Sequence, residues 1–243
     1  MTDFTSYDAF DSYGSACRAM WEGLERSTCA RKVFWQRSVT STNDLAKEYL
    51  ETHRKAEHLV SEPESLPILF VAESQTAGRG RGNHTWWSPE GGLYLAIIAA
   101  RRNFGVASGD SVELSVMVAR AVAYAVQSVL EKHTGAAQKR FPFDGDPDSS
   151  VFGAPNAIPA RNRFHNVSVK HPNDVCLDGR KIAGILIESP TPELVVIGVG
   201  ANLNSSVSDA PEEIQARFVS LADVCHAEID PIEFTGFLFG ELF

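Results

Sequence analysis

The stretch Leu93-Tyr-Leu-Ala-Ile-Ile-Ala-Ala100 is apolar along its whole length. A strand with one wet face alternates apolar and polar side chains, so this run reads as a strand covered on both faces. A strand of that kind needs partners on both edges, and the chain offers several. Val33–Trp35, Leu69–Glu73, Val167–Lys170, Val175–Leu177, Ile182–Glu188 and Leu194–Val199 are short runs rich in Val, Ile and Leu. Asp178-Gly179 separates two of them, and that dipeptide marks a tight hairpin.

Helical spacing is clearest from Ser111 to His133, where Leu114, Val118, Ala121, Ala125 and Val129 recur on one face. A second helix is predicted to start at Ser41, with Asp44 at capping-box spacing, and to run to about His53. Asp230-Pro231 opens a last helix with proline at its first position. Residues 56–67 carry two prolines and three glutamates and read as a loop. Residues 1–31 read as a loosely ordered lead-in, with one helix around Ala16–Leu24. Residues 134–166 hold four of the twelve prolines and read as an irregular insertion. The expected fold is α+β, a mixed sheet with helices packed on one face. One domain over 32–243 accounts for the length.

Charge and cysteine usage exclude several functions. With 22 Lys and Arg against 31 Asp and Glu, the net charge is −9, which argues against a nucleic-acid coat. No stretch reaches the ~18 consecutive apolar residues of a membrane span, and the polar, acidic N-terminus is not a secretory signal. The four cysteines form no metal-ligand spacing, and they read as free thiols of a cytoplasmic protein.

Three segments carry chemistry. Glu73-Ser-Gln-Thr-Ala-Gly-Arg-Gly-Arg-Gly82 follows a strand. Its glycines let the backbone approach a ligand, and Arg79 and Arg81 can fork onto carboxylate or phosphate. Lys170-His-Pro-Asn-Asp174 is a turn, followed by Gly179-Arg-Lys-Ile-Ala-Gly-Ile-Leu-Ile-Glu188. Lys181 lies there between a hairpin and a buried strand, a rigid mount for an ammonium. In Ile197-Gly-Val-Gly-Ala-Asn-Leu-Asn204, glycines within a strand mean that something presses on the backbone. Taken singly, each segment has a bland reading: a solvated loop, a surface lysine, a bulge.

Together with Ser41-Thr42-Asn43 and the run from Trp87 to Tyr94, these boxes in this order resemble the catalytic domain of biotin protein ligases. The resemblance covers roughly 33–204. It implies a class II synthetase-like fold and a reaction in which biotin and ATP, with Mg²⁺, give biotinyl-5′-AMP. Biotin then passes to a lysine of a biotin carboxyl carrier domain. It implies that Ser41, Thr42, Asn43, Gln75, Arg79, Gly80, Arg81, Lys181 and Gly184 meet biotin, with Lys181, Arg79 and Arg81 catalytic. Arg81, Trp86, Asn173 and Asn202 are implied at ATP, and Asp174 at the metal. Both arginines are expected to gain partners only when the adenylate binds.

Two positions depart from the family pattern: Gly82 stands for an arginine, and His171 for a tryptophan. His171 is expected to pack rather than titrate. No DNA-binding segment is expected at the N-terminus, so DNA is not an expected partner; with no membrane-spanning stretch, neither is a membrane, and no C-terminal β-barrel is expected. An exposed sheet edge would permit a homodimer. The competing readings are a lipoate or octanoate ligase and a biotin-binding protein without turnover.

Overall fold

The computed structural model describes residues 22–52, 55–106, 111–135 and 165–243. Most of the 1–31 lead-in and of the 134–166 insertion lies outside them. Among the described residues there are seven strands: β1 (Lys32–Val39), β2 (Ile68–Gln75), β3 (Leu93–Ala100), β4 (Val167–Lys170), β5 (Asp174–Leu177), β6 (Arg180–Glu188) and β7 (Leu194–Ala201). They form one mixed sheet in the order β1-β2-β3-β7-β6-β5-β4. The β1–β2 pair is parallel and the others are antiparallel. As its composition requires, β3 is central, and all its residues are buried.

Residues 22–27 are helical, and the helices that follow among these residues are α1 (Thr42–Glu51), α2 (Lys55–Ser61), α3 (Ser111–Thr134), α4 (Glu212–Gln215), α5 (Leu221–Cys225) and α6 (Pro231–Leu242). On one face, α3 and α6 cover the sheet as expected, with Leu114, Val118, Val122, Phe234 and Leu238 against Leu95, Ile97, Ile185 and Val199. The opposite face is also covered, but only at one end. There Leu45, Tyr49 and Leu50 of α1 pack on Phe70, Ala96, Ile98 and Val196. Helices therefore lie on both faces, which is what the two-sided burial of β3 demands. By length and composition α3 could cross a membrane, yet 56% of its most apolar window is buried within the fold.

Several local readings change. Residues 56–67 are not a plain loop, because α2 and the short turn Pro63–Ser65 fall there. Ser41 does precede α1, but its side chain makes no cap bond. The Thr42 N–H goes instead to Gln75 Oε1 at 2.8 Å, and Asp44 turns to basic partners. The Asp178-Gly179 hairpin stands, with φ of 51° and 78°. The Asp178 carboxylate accepts the Asn166 N–H at 2.8 Å and meets His165 Nδ1 at 2.8 Å, tying that turn to β4.

Candidate active site

Side chains alternate along a strand, so Leu194, Val196, Gly198 and Gly200 of β7 share one face. The first two lie under α1. The glycines continue the row past the start of that helix, where no described helix covers the sheet. Across the ladder, Gly184 pairs with Gly200 and Leu186 with Gly198. A cavity of about 480 Å³ opens over this floor.

The strand glycines are pressed on from within the chain. A β-carbon on Gly198 would fall on Asn43 Oδ1, and one on Gly200 would sit 2.5 Å from Trp86 Nε1. The indole also reaches Gly184, where a β-carbon would lie 3.0 Å from Cζ3. Trp86 Nε1 is buried without a partner among the described residues, a donor with unused capacity at the cavity wall.

Lys181 is aimed by an irregularity. Cys176 pairs with Lys181 but Val175 pairs with Ala183, so Ile182 is an extra residue in β6. Bulges of this kind re-aim the side chain beside them. Lys181 Nζ lies 2.7 Å from Asp174 Oδ1 and 5.0 Å from the centroid of the Trp86 ring. Its backbone N–H donates to Arg217 O at 2.7 Å, and Asn202 Nδ2 donates to Lys181 O at 3.3 Å.

The arginine loop folds back as a small hairpin. Gly80 N donates to His84 O, Trp86 N donates to Gly78 O, both at 2.8 Å, and Arg79 bridges to Thr85. Contrary to expectation, both arginines have partners without a ligand. Arg79 pairs with Asp44 and, at 3.1 Å, with Glu188. Arg81 Nη1 donates to Asn173 Oδ1 at 3.3 Å.

Arg79 belongs to a five-residue cluster. Lys47 Nζ is 2.9 Å from both Asp44 and Glu188, and Asn43 Nδ2 donates to Glu188 Oε2 at 2.9 Å. Burial alone would raise the Glu188 carboxyl. The Asn43 and Lys47 hydrogen bonds, with the charges of Lys47 and Arg79, outweigh it and hold Glu188 below the usual range. Burial likewise opposes ionisation of Asp44, and Lys47 and Arg79 again win. Lys47 and Arg79 are in turn raised, because carboxylate partners outweigh their desolvation.

The structure gathers Ser41, Thr42, Asn43, Gln75, Arg79, Gly80, Arg81, Trp86, Asn173, Asp174, Lys181 and Gly184 around one cavity. Asn202 does not belong there. It is 3% exposed and absent from the lining, and its Nδ2 bridges Lys181 O and Val219 O. Its work is to join β6 to the segment before α5. His171 is exposed rather than packed. No sequence motif assigned a role to Glu188 or Lys47. A signal existed: Gly184, Leu186 and Glu188 share one face of β6, and Lys47 lies one turn beyond Asn43 on α1.

The biotin/lipoate A/B protein ligase family matches residues 35–202, well over half of the chain. The chain belongs to that family. Among curated relatives, the bifunctional ligase/repressor BirA of Bacillus spizizenii is 25% identical over 213 residues, 86% of this chain and 51% of that protein. The biotin–[acetyl-CoA-carboxylase] ligase of Mycobacterium tuberculosis is 32% identical over 159 residues, 65% of this chain and 46% of that one. The chain thus spans about half the length of these ligase-family relatives. Among solved structures, the biotin protein ligase of Leishmania major in complex with biotinyl-5-AMP superposes with a TM-score of 0.60 at 25% identity. That match covers 88% of this chain and 74% of the other. The Aquifex aeolicus enzyme in complex with biotin and ATP shares the fold, with a TM-score of 0.56 and 24% identity over 87% of this chain and 68% of that one.

Proposed function

We propose that this chain activates biotin with ATP and transfers it to a lysine of a biotin carrier domain of a carboxylase. One observation carries the reading. Lys181, Arg79 and Arg81 converge on a single cavity floored by strand backbone at Gly184, Gly198 and Gly200, against which Trp86 and Asn43 pack. The names of the relatives, and the biotinyl-5-AMP bound to the Leishmania major structure, support the substrate class.

In the first step a biotin carboxylate oxygen attacks the α-phosphorus of ATP. The bond to the β-phosphate oxygen breaks, and pyrophosphate leaves. Two anions must approach each other, so fixed cations that meet the growing negative charge lower the barrier. Lys181 is mounted for this on a strand, aimed by the bulge at Ile182 and restrained by Asp174. Arg81 is held by the Asn173 amide, a neutral partner, and can turn to phosphate. Trp86 Nε1 adds an unused donor beside Lys181. In the second step the ε-amine of the carrier lysine attacks the acyl carbon, and AMP departs. The polar hairpin from Gly78 to Trp86 borders the cavity and can shield the anhydride from water.

Among the described residues no group of three His, Cys, Asp or Glu could hold a metal. Asp174 is the one carboxylate among the described residues that lines the cavity, and Lys181 engages it. The residues present do not form a magnesium cage, so Mg²⁺ would enter with ATP as its phosphate complex. The test is incubation with biotin, MgATP and a carrier domain. A carrier mass increase equal to one biotin, with pyrophosphate release, is expected. Release with lipoate or octanoate but not with biotin refutes the reading.

A further inference from the structure

Among the described residues, Asn43 is 4% exposed, and only its Nδ2 has partners: Glu188 Oε2 at 2.9 Å and Leu186 O at 3.5 Å. Both partners face Nδ2 as acceptors. An ionised carboxylate and a backbone carbonyl cannot donate, so this settles which end of the amide is which. The Asn43 Oδ1 therefore points the other way, onto Gly198 and the cavity floor, with no partner of its own among the described residues. Lys47 and Arg79 keep Glu188 ionised, so its acceptor role persists at neutral pH.

Gln75 has the opposite polarity. Its Oε1 is used by the Thr42 N–H at 2.8 Å and the Thr42 hydroxyl at 3.2 Å. Its Nε2 donates one hydrogen to Ser88 Oγ at 2.9 Å, which leaves one N–H over. Both side chains line the cavity, so its wall includes an acceptor at Asn43 and a donor at Gln75 with capacity to spare among the described residues.

We infer that Glu188 is a positioning residue for substrate selection: it turns the Asn43 carbonyl oxygen into the cavity to receive a ring N–H of the substrate. A cyclic urea offers N–H donors and a carbonyl acceptor and complements this pair. A dithiolane offers neither and leaves Asn43 Oδ1 desolvated without a partner, which a buried acceptor resists. The inference rests on the biotin reading and adds the device by which that ring is told from lipoate.

The experiment is calorimetric binding without ATP, using biotin, desthiobiotin and lipoate. Desthiobiotin keeps the urea and lacks the ring sulfur. Wild type, Glu188→Met and Asn43→Leu are compared, and the quantity read is the ratio of affinities. In wild type both ureido ligands bind far more tightly than lipoate. The preference falls about fivefold in Glu188→Met and about tenfold or more in Asn43→Leu, the scale of one lost hydrogen bond. Equal weakening of all three ligands would mean that Glu188 acts only through Arg79 and Lys47, and overturns the inference. So does desthiobiotin behaving like lipoate. Should Glu188→Met fail to fold, the same ratio measured on Asn43→Leu decides the matter. Wild type that binds no biotin refutes the functional reading along with the inference. Biotin binding with a ratio both variants leave unchanged refutes the inference alone.

Discussion

Replacing Lys181 by Met separates what this side chain does for the fold from what it does for the reaction. Met keeps an unbranched apolar stem beside the Trp86 ring and Gly184 but removes the ammonium. The lost ion pair is partly wet, with the two side chains 36% and 21% exposed. Pairs of that kind are worth at most about 1 kcal/mol, so the thermal midpoint should move by only about 2–4 °C. The rate is another matter. A fixed charge aimed at an oxygen that gains charge in the transition state is worth about 2.7–4 kcal/mol, or roughly 10²–10³ in turnover. Single-turnover pyrophosphate release should fall by that factor. Calorimetric biotin affinity without ATP should change far less. A release rate within threefold of wild type refutes the role. A collapse of the thermal midpoint together with lost biotin binding refutes it differently, by making Lys181 a structural residue.

Gly200→Ala would set a β-carbon 2.5 Å from Trp86 Nε1, so the indole must shift. A cost of about 1–3 kcal/mol is expected in urea unfolding, together with a change in tryptophan emission, and neither change would mean that the indole does not press there. Arg81→Ser frees only the Asn173 amide, so stability should hold while biotinyl-AMP leaks. Mass spectrometry should then find biotin on a bystander lysine-rich protein, and an unlabelled bystander removes Arg81 from the site. Asp44 and Glu188 are both held below ordinary values of 3.8 and 4.5, so they bind protons more weakly folded than unfolded. Their stabilisation is complete above those values and drains away as pH falls through them. The thermal midpoint gap between wild type and Glu188→Gln should therefore stay level down to about pH 5 and close below it, and a gap that widens in acid contradicts the sign.

The strands were legible where composition left one choice. The apolar run 93–100 is β3 to the residue, and Asp178-Gly179 turns where the dipeptide says. The helix from Ser111 declared itself by period alone. What failed was local chemistry overridden by a distant partner. Ser41 and Asp44 have capping spacing, but Gln75 supplies the acceptor from another strand, and Arg79 claims Asp44. Asn202 follows a glycine-bearing strand like a ligand residue, yet two backbone carbonyls take it. The prolines of 56–67 mask α2, in which Leu59 is buried. The Glu188 cluster joins residues from α1, the loop and β6, and no spacing rule in one chain brings those together.

The seam between β3 and β7 has a consequence for how the protein comes to exist. Leu93 pairs with Ala201 and Ala100 with Leu194, so the centre of the sheet joins segments far apart in the chain. The cavity straddles that seam, with Asn43, Gln75 and the arginines from one side and Lys181, Gly184 and Gly198 from the other. On a ribosome, residues 32–100 emerge long before their partner. Until β7 arrives, β3 carries a bare edge of uninterrupted apolar sequence, the kind of strand that pairs with the wrong neighbour. Closing so long a loop is slow, and no part of the chemistry can begin before it. Half-made chains would therefore be inert and sticky, and their yield should depend on chaperone supply more than on biotin.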